Sequence, residues 1–221
     1  DSSLKERIAA LSLPLDEIRD KVVAETAAPI EGSRDICRVQ ECEMGNLVAE
    51  AMLDSVKGQG ITIAIQNSGG LRASIDEGSI TMGEVLTVLP FQNVMSTFEL
   101  TGADVVAALE NGVSQVEEVK GRFPQVAGLS FTWDPSVAPN EGRIKEVLVD
   151  VDGQMQPIDP EAIYGVLSNN YVRGGGDGYA MFAEKAINAY DFGPNVEDVV
   201  SEYLAEHAPY KPGVQKRISQ L

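Results

Sequence analysis

The stretch Asn170-Tyr171-Val172-Arg173-Gly174-Gly175-Gly176-Asp177-Gly178-Tyr179 follows the apolar run Ile163-Tyr164-Gly165-Val166-Leu167, which reads as a buried strand. Three adjacent glycines cost conformational entropy. They mark a place where the backbone bends sharply or comes close to another body. An aromatic side chain precedes the triplet, and a carboxylate and a second aromatic follow it. The aromatic offers a stacking face, and the carboxylate can accept two hydrogen bonds from a diol. On this segment alone a simpler reading comes first: a strand-to-helix turn in which Asp177 caps the next helix.

Outward from this strand, helical and extended segments alternate. Residues 44–56 read as a helix stopped by Lys57-Gly58-Gln59-Gly60, and 61–65 as a short apolar strand. A turn of helix is expected over 81–86, a strand over 93–100 and a helix over 102–116. Strand signals recur at 129–133. Residues 144–151 and 154–158 form a predicted hairpin through Asp152-Gly153, a dipeptide that favours the tight turn. Residues 195–207 read as a surface helix. At the other end Leu4, Ile8, Leu11, Leu15, Ile18 and Val22 recur at helical spacing, predicting one helix over 3–25 with a kink at Pro14. The stretch to Ser33, with Pro29 and Gly32, reads as a connection. The expected fold class is α/β to α+β, a layered mixed β-sheet with helices packed on its faces.

Composition narrows the function. The 221 residues carry a formal net charge of −17, which opposes binding to nucleic-acid polymers and anionic membranes. No apolar run is long enough to cross a bilayer. No signal peptide is visible at Asp1, so any export signal is expected to have been removed or to lie elsewhere. In so acidic a chain, clustered arginines stand out. Arg34 and Arg38 are four apart, and Arg72 follows Gly69-Gly70. A guanidinium fork suits phosphate oxygens, although a surface ion pair is the commoner fate of a single arginine. Asn67 opens an Asn-Ser-Gly-Gly turn, Phe91 follows Pro90 in a polar loop, and Asn93 is two residues on. The two cysteines, Cys37 and Cys42, could close a small disulfide loop. They do not match the shorter redox spacing, they lack a histidine for zinc, and free thiols remain the other reading.

Four segments occur in order: Cys37-Arg38-Val39-Gln40-Glu41-Cys42-Glu43-Met44-Gly45-Asn46-Leu47, Gln66-Asn67-Ser68-Gly69-Gly70-Leu71-Arg72, Leu89-Pro90-Phe91-Gln92-Asn93, and the glycine segment. Together they resemble the C-terminal, substrate-binding domain of the 5'-nucleotidase and UDP-sugar hydrolase family, over residues 34–179 and more weakly beyond. The resemblance implies that residues 1–33 are interdomain linker helix and connection, and 34–221 the C-terminal domain. It implies that Phe91 and Tyr171 sandwich a nucleobase and that Asn93 reads its edge. Asp177 would hold the ribose hydroxyls, Asn67 would sit beside the substrate, and Arg34, Arg38 and Arg72 would line the phosphate-facing wall. It implies a structural Cys37–Cys42 disulfide, hence an oxidising, periplasmic or extracellular setting. The chain departs from the family in having Tyr171 where phenylalanine is common, Gln92 where glycine is frequent, and Arg173 and Gly174 where a small residue and asparagine are usual.

A two-metal phosphohydrolase needs several histidines and carboxylates to hold its ions. This chain has one histidine, His207, in an acidic C-terminal segment. No cysteine or serine has a histidine partner in prospect. The chain alone is therefore expected not to hydrolyse phosphate and to bind no cofactor. The resemblance places two divalent metal ions on an absent N-terminal metallophosphatase domain, the partner within a 5'-nucleotidase, UDP-sugar hydrolase or cyclic-nucleotide phosphodiesterase type of enzyme. The alternatives are a stand-alone nucleoside- or nucleotide-binding module and a family member acting on a non-nucleotide substrate such as a sulfur compound.

Overall fold

A computed structural model describes Arg7 and residues 16–221. In chain order its elements are β1 (Val22–Thr26), α1 (Arg34–Cys37), α2 (Glu43–Ser55), β2 (Ile63–Asn67), β3 (Gly78–Thr81), α3 (Met82–Val88), β4 (Met95–Thr101), α4 (Gly102–Gly112), β5 (Pro124–Ala127), β6 (Leu129–Trp133), β7 (Ile144–Val151), β8 (Gln154–Pro157), β9 (Ile163–Asn169), α5 (Asn170–Arg173), α6 (Ala180–Lys185), β10 (Ile187–Tyr190), α7 (Val196–Glu206) and β11 (Ile218–Gln220). Short 3-10 turns follow β2, α4 and α5.

Three sheets result. The central one has the order β10-β4-β9-β2-β5, with β2 and β9 parallel and every other pair antiparallel. A second sheet, β11-β6-β7-β8, contains the Asp152-Gly153 hairpin. A third pairs β1 with β3. Side chains alternate across a strand, so the central sheet serves two cores. Ala64, Leu167 and Ala127 face one layer with Leu47, Val48 and Met52 of α2 and Val199, Val200 and Leu204 of α7. Ile63, Ile65, Val126 and Val166 face the other, with Val105 and Leu109 of α4, Phe182 of α6, and Phe131, Trp133 and Val147 of the second sheet. Helices thus cover both faces of a mixed sheet, as the alternating pattern predicts.

Several local expectations are corrected. Residues 22–25 are strand, not the end of a helix; residues 16–19 are helical, Asp20 and Lys21 turn out of it, and residues 3–6 and 8–15 of the predicted helix lie outside the described residues. The apolar period there misled because Ile18 and Val22 are more than half exposed. The β-branched Val22-Val23 pair suits an extended edge, which β3 supplies with partners. The stretch read as a connection is bound into the fold: Ile30 is fully buried and exchanges backbone hydrogen bonds with Ile75. The helix expected over 102–116 ends as α-helix at Gly112 and continues as a 3-10 turn. The helix expected over 195–207 buries one face, packing against α2 and β1.

Candidate functional site

The site lies beyond the C-terminal ends of the parallel strands β2 and β9. Open α/β sheets commonly place ligands there, because neighbouring chains leave the sheet in different directions. Asn67 ends β2 and Asn169 ends β9. Asn169 Nδ2 donates to Asn67 Oδ1 at 2.9 Å and to Gln66 Oε1 at 3.0 Å, while its Oδ1 accepts from Val172 N and caps α5. Asn67 Nδ2 in turn donates to Asp177 Oδ2 at 2.7 Å. The strand ends are thereby tied by buried amides to the carboxylate of the glycine segment.

Asp177 does not cap the following helix. That cap position is Tyr179, which has no side-chain cap hydrogen bond. Asp177 has a φ of +54°, in the left-handed region that aspartate tolerates better than most residues. Its Oδ1 accepts from the Tyr171 hydroxyl at 3.2 Å, and its N–H donates back to that oxygen at 3.3 Å. Burial, then the Asp177 charge, push the Tyr171 phenol above its ordinary pKa, so it stays a neutral donor. The glycine triplet has a local reason at Gly176. A Cβ there would stand 2.6 Å from the Tyr171 ring and its carbonyl oxygen, so only glycine lets the chain pass under the ring. A second close approach joins two loops: Gly69 N donates to Gly121 O at 2.8 Å, and a Cβ on Gly121 would lie 2.8 Å from the Gly69 Cα.

A cleft of about 430 Å³ opens here, lined by Arg38, Asn67, Arg72, Phe91, Asn93, Tyr171 and Asp177 together with Gly69, Gly70 and Gly121. That volume suits a small organic ligand. Phe91 and Tyr171 are 56% and 51% exposed, so neither ring plugs the core. Asn93 Nδ2 donates to Asn170 Oδ1 at 2.8 Å, tying the Phe91 loop to α5. Gln92, between Phe91 and Asn93, has a φ of +51°, a conformation in which glycine is the unstrained residue.

Charge concentrates at one end of the cleft. Among the described residues, no carboxylate lies within ion-pair distance of Arg34, Arg38 or Arg72, although the chain carries 34 acidic residues. The Arg38 guanidinium is half-buried. Burial first, then Arg34 and Arg72, lower its pKa, and Asp177 partly offsets them. Its Nη1 donates to Val119 O at 3.3 Å, and among the described residues its Nε has no partner. Arg72 lies over Phe91, 5.8 Å from the ring centroid. Like charges held together without a counter-ion form a site that an anion would relieve. Arg34 is exposed and does not line the cleft; it acts on it only through its charge on Arg38.

Arg38 is held by its loop. Cys37 and Cys42 are joined in a disulfide that encloses it, with Cα atoms 5.1 Å apart. Inside the loop, Gln125 Nε2 donates to the carbonyls of Cys37 and Gln40, each at 2.8 Å, and its Oε1 accepts from Cys42 N. Gln125 is fully buried. Nothing in its local sequence distinguishes it, nor Gly121, from ordinary strand and loop residues. Asn169 and Asn170 stood inside the glycine segment's own neighbourhood, where a strand end before a turn was the available signal.

Arg173, which stands where the family usually has a small residue, points away from the cleft. It donates to Phe182 O at 2.7 Å, pairs with Asp191 at 3.4 Å and covers the Phe98 ring. His207 stacks on Tyr203 at 4.0 Å, with Nδ1 2.8 Å from the Tyr203 carbonyl, away from the cleft. Among the described residues no group of three or more His, Cys, Asp and Glu side chains is placed to hold a metal ion. No helix of the described residues is long and apolar enough to cross a membrane.

Comparison with known proteins establishes the family of the chain. Residues 22–184 match the family described as 5'-nucleotidase, C-terminal domain. The trifunctional nucleotide phosphoesterase protein YfkN of Bacillus subtilis is 37% identical over 98% of this chain and 15% of its own length. The 5'-nucleotidase of Homo sapiens is 30% identical over 99% of this chain and 40% of its own. The crystal structure of a 5'-nucleotidase precursor from Thermus thermophilus superposes with a TM-score of 0.92 at 38% identity, covering 98% of this chain and 43% of that one. The chain belongs to the 5'-nucleotidase C-terminal domain family, and it spans well under half the length of these relatives.

Proposed function

We propose that this chain is the substrate-binding domain of an exported, metal-dependent nucleotide phosphohydrolase. The convergence of two half-exposed rings, one carboxylate and two unpaired arginines around a single cleft carries the reading. The base lies between Phe91 and Tyr171, with Asn93 at its edge. The ribose hydroxyls meet Asp177, whose two oxygens are already set apart by Asn67 and Tyr171. The phosphate lies toward Arg38 and Arg72, within the influence of Arg34. Base stacking contributes about 1–3 kcal/mol in nucleic-acid complexes, enough to supply a large share of a micromolar affinity.

The described residues do not fit a pair of catalytic metal ions. The metals and the attacking water are assigned to an N-terminal domain outside this chain, so no bond-breaking step is derived for the residues here. What this domain supplies is binding of the remote nucleoside, which positions the reacting phosphate. The disulfide supports an oxidising, periplasmic or extracellular location. A second reading, a nucleotide-binding module without a hydrolase, draws on the stacking rings, the carboxylate and the arginines that this chain itself contributes to the cleft.

Calorimetric titration of the chain with adenosine, AMP and UDP-glucose, without added metal, tests the reading. Saturable one-to-one binding that is lost in Asp177→Ala supports it. Folded protein that takes up none of the three refutes it. An upstream reading frame encoding histidine-rich metal motifs separates the hydrolase from the module.

A further inference from the structure

Behind the Phe91 loop a narrow recess of about 10 Å³, room for one small polar group, adjoins the cleft and shares Gly70, Phe91 and Asn93 with it. Gln66, Asn169 and Glu197 complete its polar wall. Glu197 sits in the first turn of α7, and that turn is fastened to the cleft loop. Val196 N donates to Asn93 O at 2.9 Å, and Asn195 bridges to Val94. The side chain is only 4% exposed. The amides of the wall are occupied with one another: Asn169 Nδ2 with Gln66 Oε1, and Gln66 Nε2 with the Asn67 carbonyl. Among the described residues, Glu197 Oε2 has no hydrogen-bond partner and no lysine or arginine pairs with Glu197. A buried carboxylate oxygen without a donor is costly to a fold, and its position against a ligand cleft gives it a use.

We propose that Glu197 reads the inward edge of the ring held between Phe91 and Tyr171, accepting a hydrogen bond from a ring amino group that enters this recess. The proposal rests on the nucleotide-binding reading and deepens it by assigning a base preference: amino-bearing rings over those with a carbonyl at the same position. Burial pushes the Glu197 carboxyl above its ordinary range, with neighbouring Asp198 adding to the shift and its own backbone N–H opposing it. In its ionised form the carboxylate is an acceptor only, and Oε2 lacks a donor that an amino group supplies. A carbonyl would set oxygen against oxygen. Sites built on an unsatisfied buried polar group discriminate strongly in this way.

The test is calorimetry at pH 8 on the 221-residue chain with AMP, IMP and ribose 5-phosphate, for the unchanged protein, Glu197→Gln and Phe91→Ala, with thermal melts to confirm folding. The unchanged protein is expected to favour AMP over IMP by tenfold or more. Glu197→Gln keeps shape and offers both a donor and an acceptor, so the ratio should fall within threefold while ribose 5-phosphate binding stays unchanged. Equal affinities for AMP and IMP in the unchanged protein overturn the proposal, as does a ratio that Glu197→Gln leaves in place. A purely structural Glu197 would move the melting temperature and not the ratio. If the nucleotides bind and Phe91→Ala weakens them but the ratio is near one, only this inference falls. If folded, unchanged protein binds neither nucleotide, the nucleotide-binding reading falls with it.

Discussion

Removing the Phe91 ring is the sharpest perturbation of the proposed site. Phe91 is 56% exposed and belongs to neither buried core cluster, so Phe91→Ala opens no internal cavity. The fold should lose no more than about 1 kcal/mol, the upper end for the exposed contact that the ring makes with Arg72. The loss of an approximately 0.5–1 kcal/mol cation–π contact with Arg72 is already limited by exposure. Ligand binding is different. One stacking face is worth about 1–3 kcal/mol, so the dissociation constant for a nucleoside should rise about 5- to 150-fold. Arg38 and Asp177 remain in place, so ribose 5-phosphate should bind as before. Isothermal titration of nucleoside, nucleotide and ribose 5-phosphate, beside a thermal melt, reads all these quantities. An AMP dissociation constant within twofold of the unchanged protein, at an unchanged melting temperature, would remove Phe91 from the site and the base sandwich with it.

Three further outcomes are expected. Asp177→Asn should weaken a ribonucleoside about tenfold and abolish discrimination against the 2',3'-dideoxy analogue; a variant that still distinguishes the two, by titration, would dissociate Asp177 from the diol. Replacing both cysteines, Cys37→Ser with Cys42→Ser, removes a short covalent loop worth about 2 kcal/mol by chain entropy. Arg38 lies inside that loop, so phosphate-bearing ligands should lose more affinity than nucleosides; an equal loss for both would count against Arg38 as the anion contact. The hydrogen bond from Arg143 holds the Glu117 carboxyl below its ordinary value of 4.5. A lowered folded value means this stabilisation is complete above pH 4.5 and is lost as the pH falls through the folded value. Glu117→Gln should therefore flatten the acid limb of the melting-temperature profile below pH 4.5 and leave the profile near neutrality parallel. A steeper acid limb would contradict it.

The segments that line the cleft were legible because each carries its reason locally. Phe91 stands out as an aromatic in a polar loop, Arg72 as a cation after a glycine pair, and the triplet before Asp177 as backbone under a special demand. The apolar run of β2, buried on both faces, and that of β9, buried from Val166 onward, were legible on the same ground. The 22–25 segment failed because Ile18 and Val22, which carried the helical period into it, remain exposed, while strand pairing with β3, more than 50 residues away, decided its conformation.

By itself the sequence determined the two-sided core strands, the Asp152-Gly153 hairpin and the order of residue types along the cleft, because propensity and apolar period act over a few neighbours. Only the tertiary structure decided what each polar group does. It turned Asp177 from a helix cap into the partner of Asn67, 110 positions away, and sent Arg173 to Asp191 while leaving Arg38 unpaired. It also buried Glu197 without a donor behind the Phe91 loop. Pairing and desolvation depend on which distant groups the fold brings within 3 Å or shields from water, and local sequence carries no measure of either.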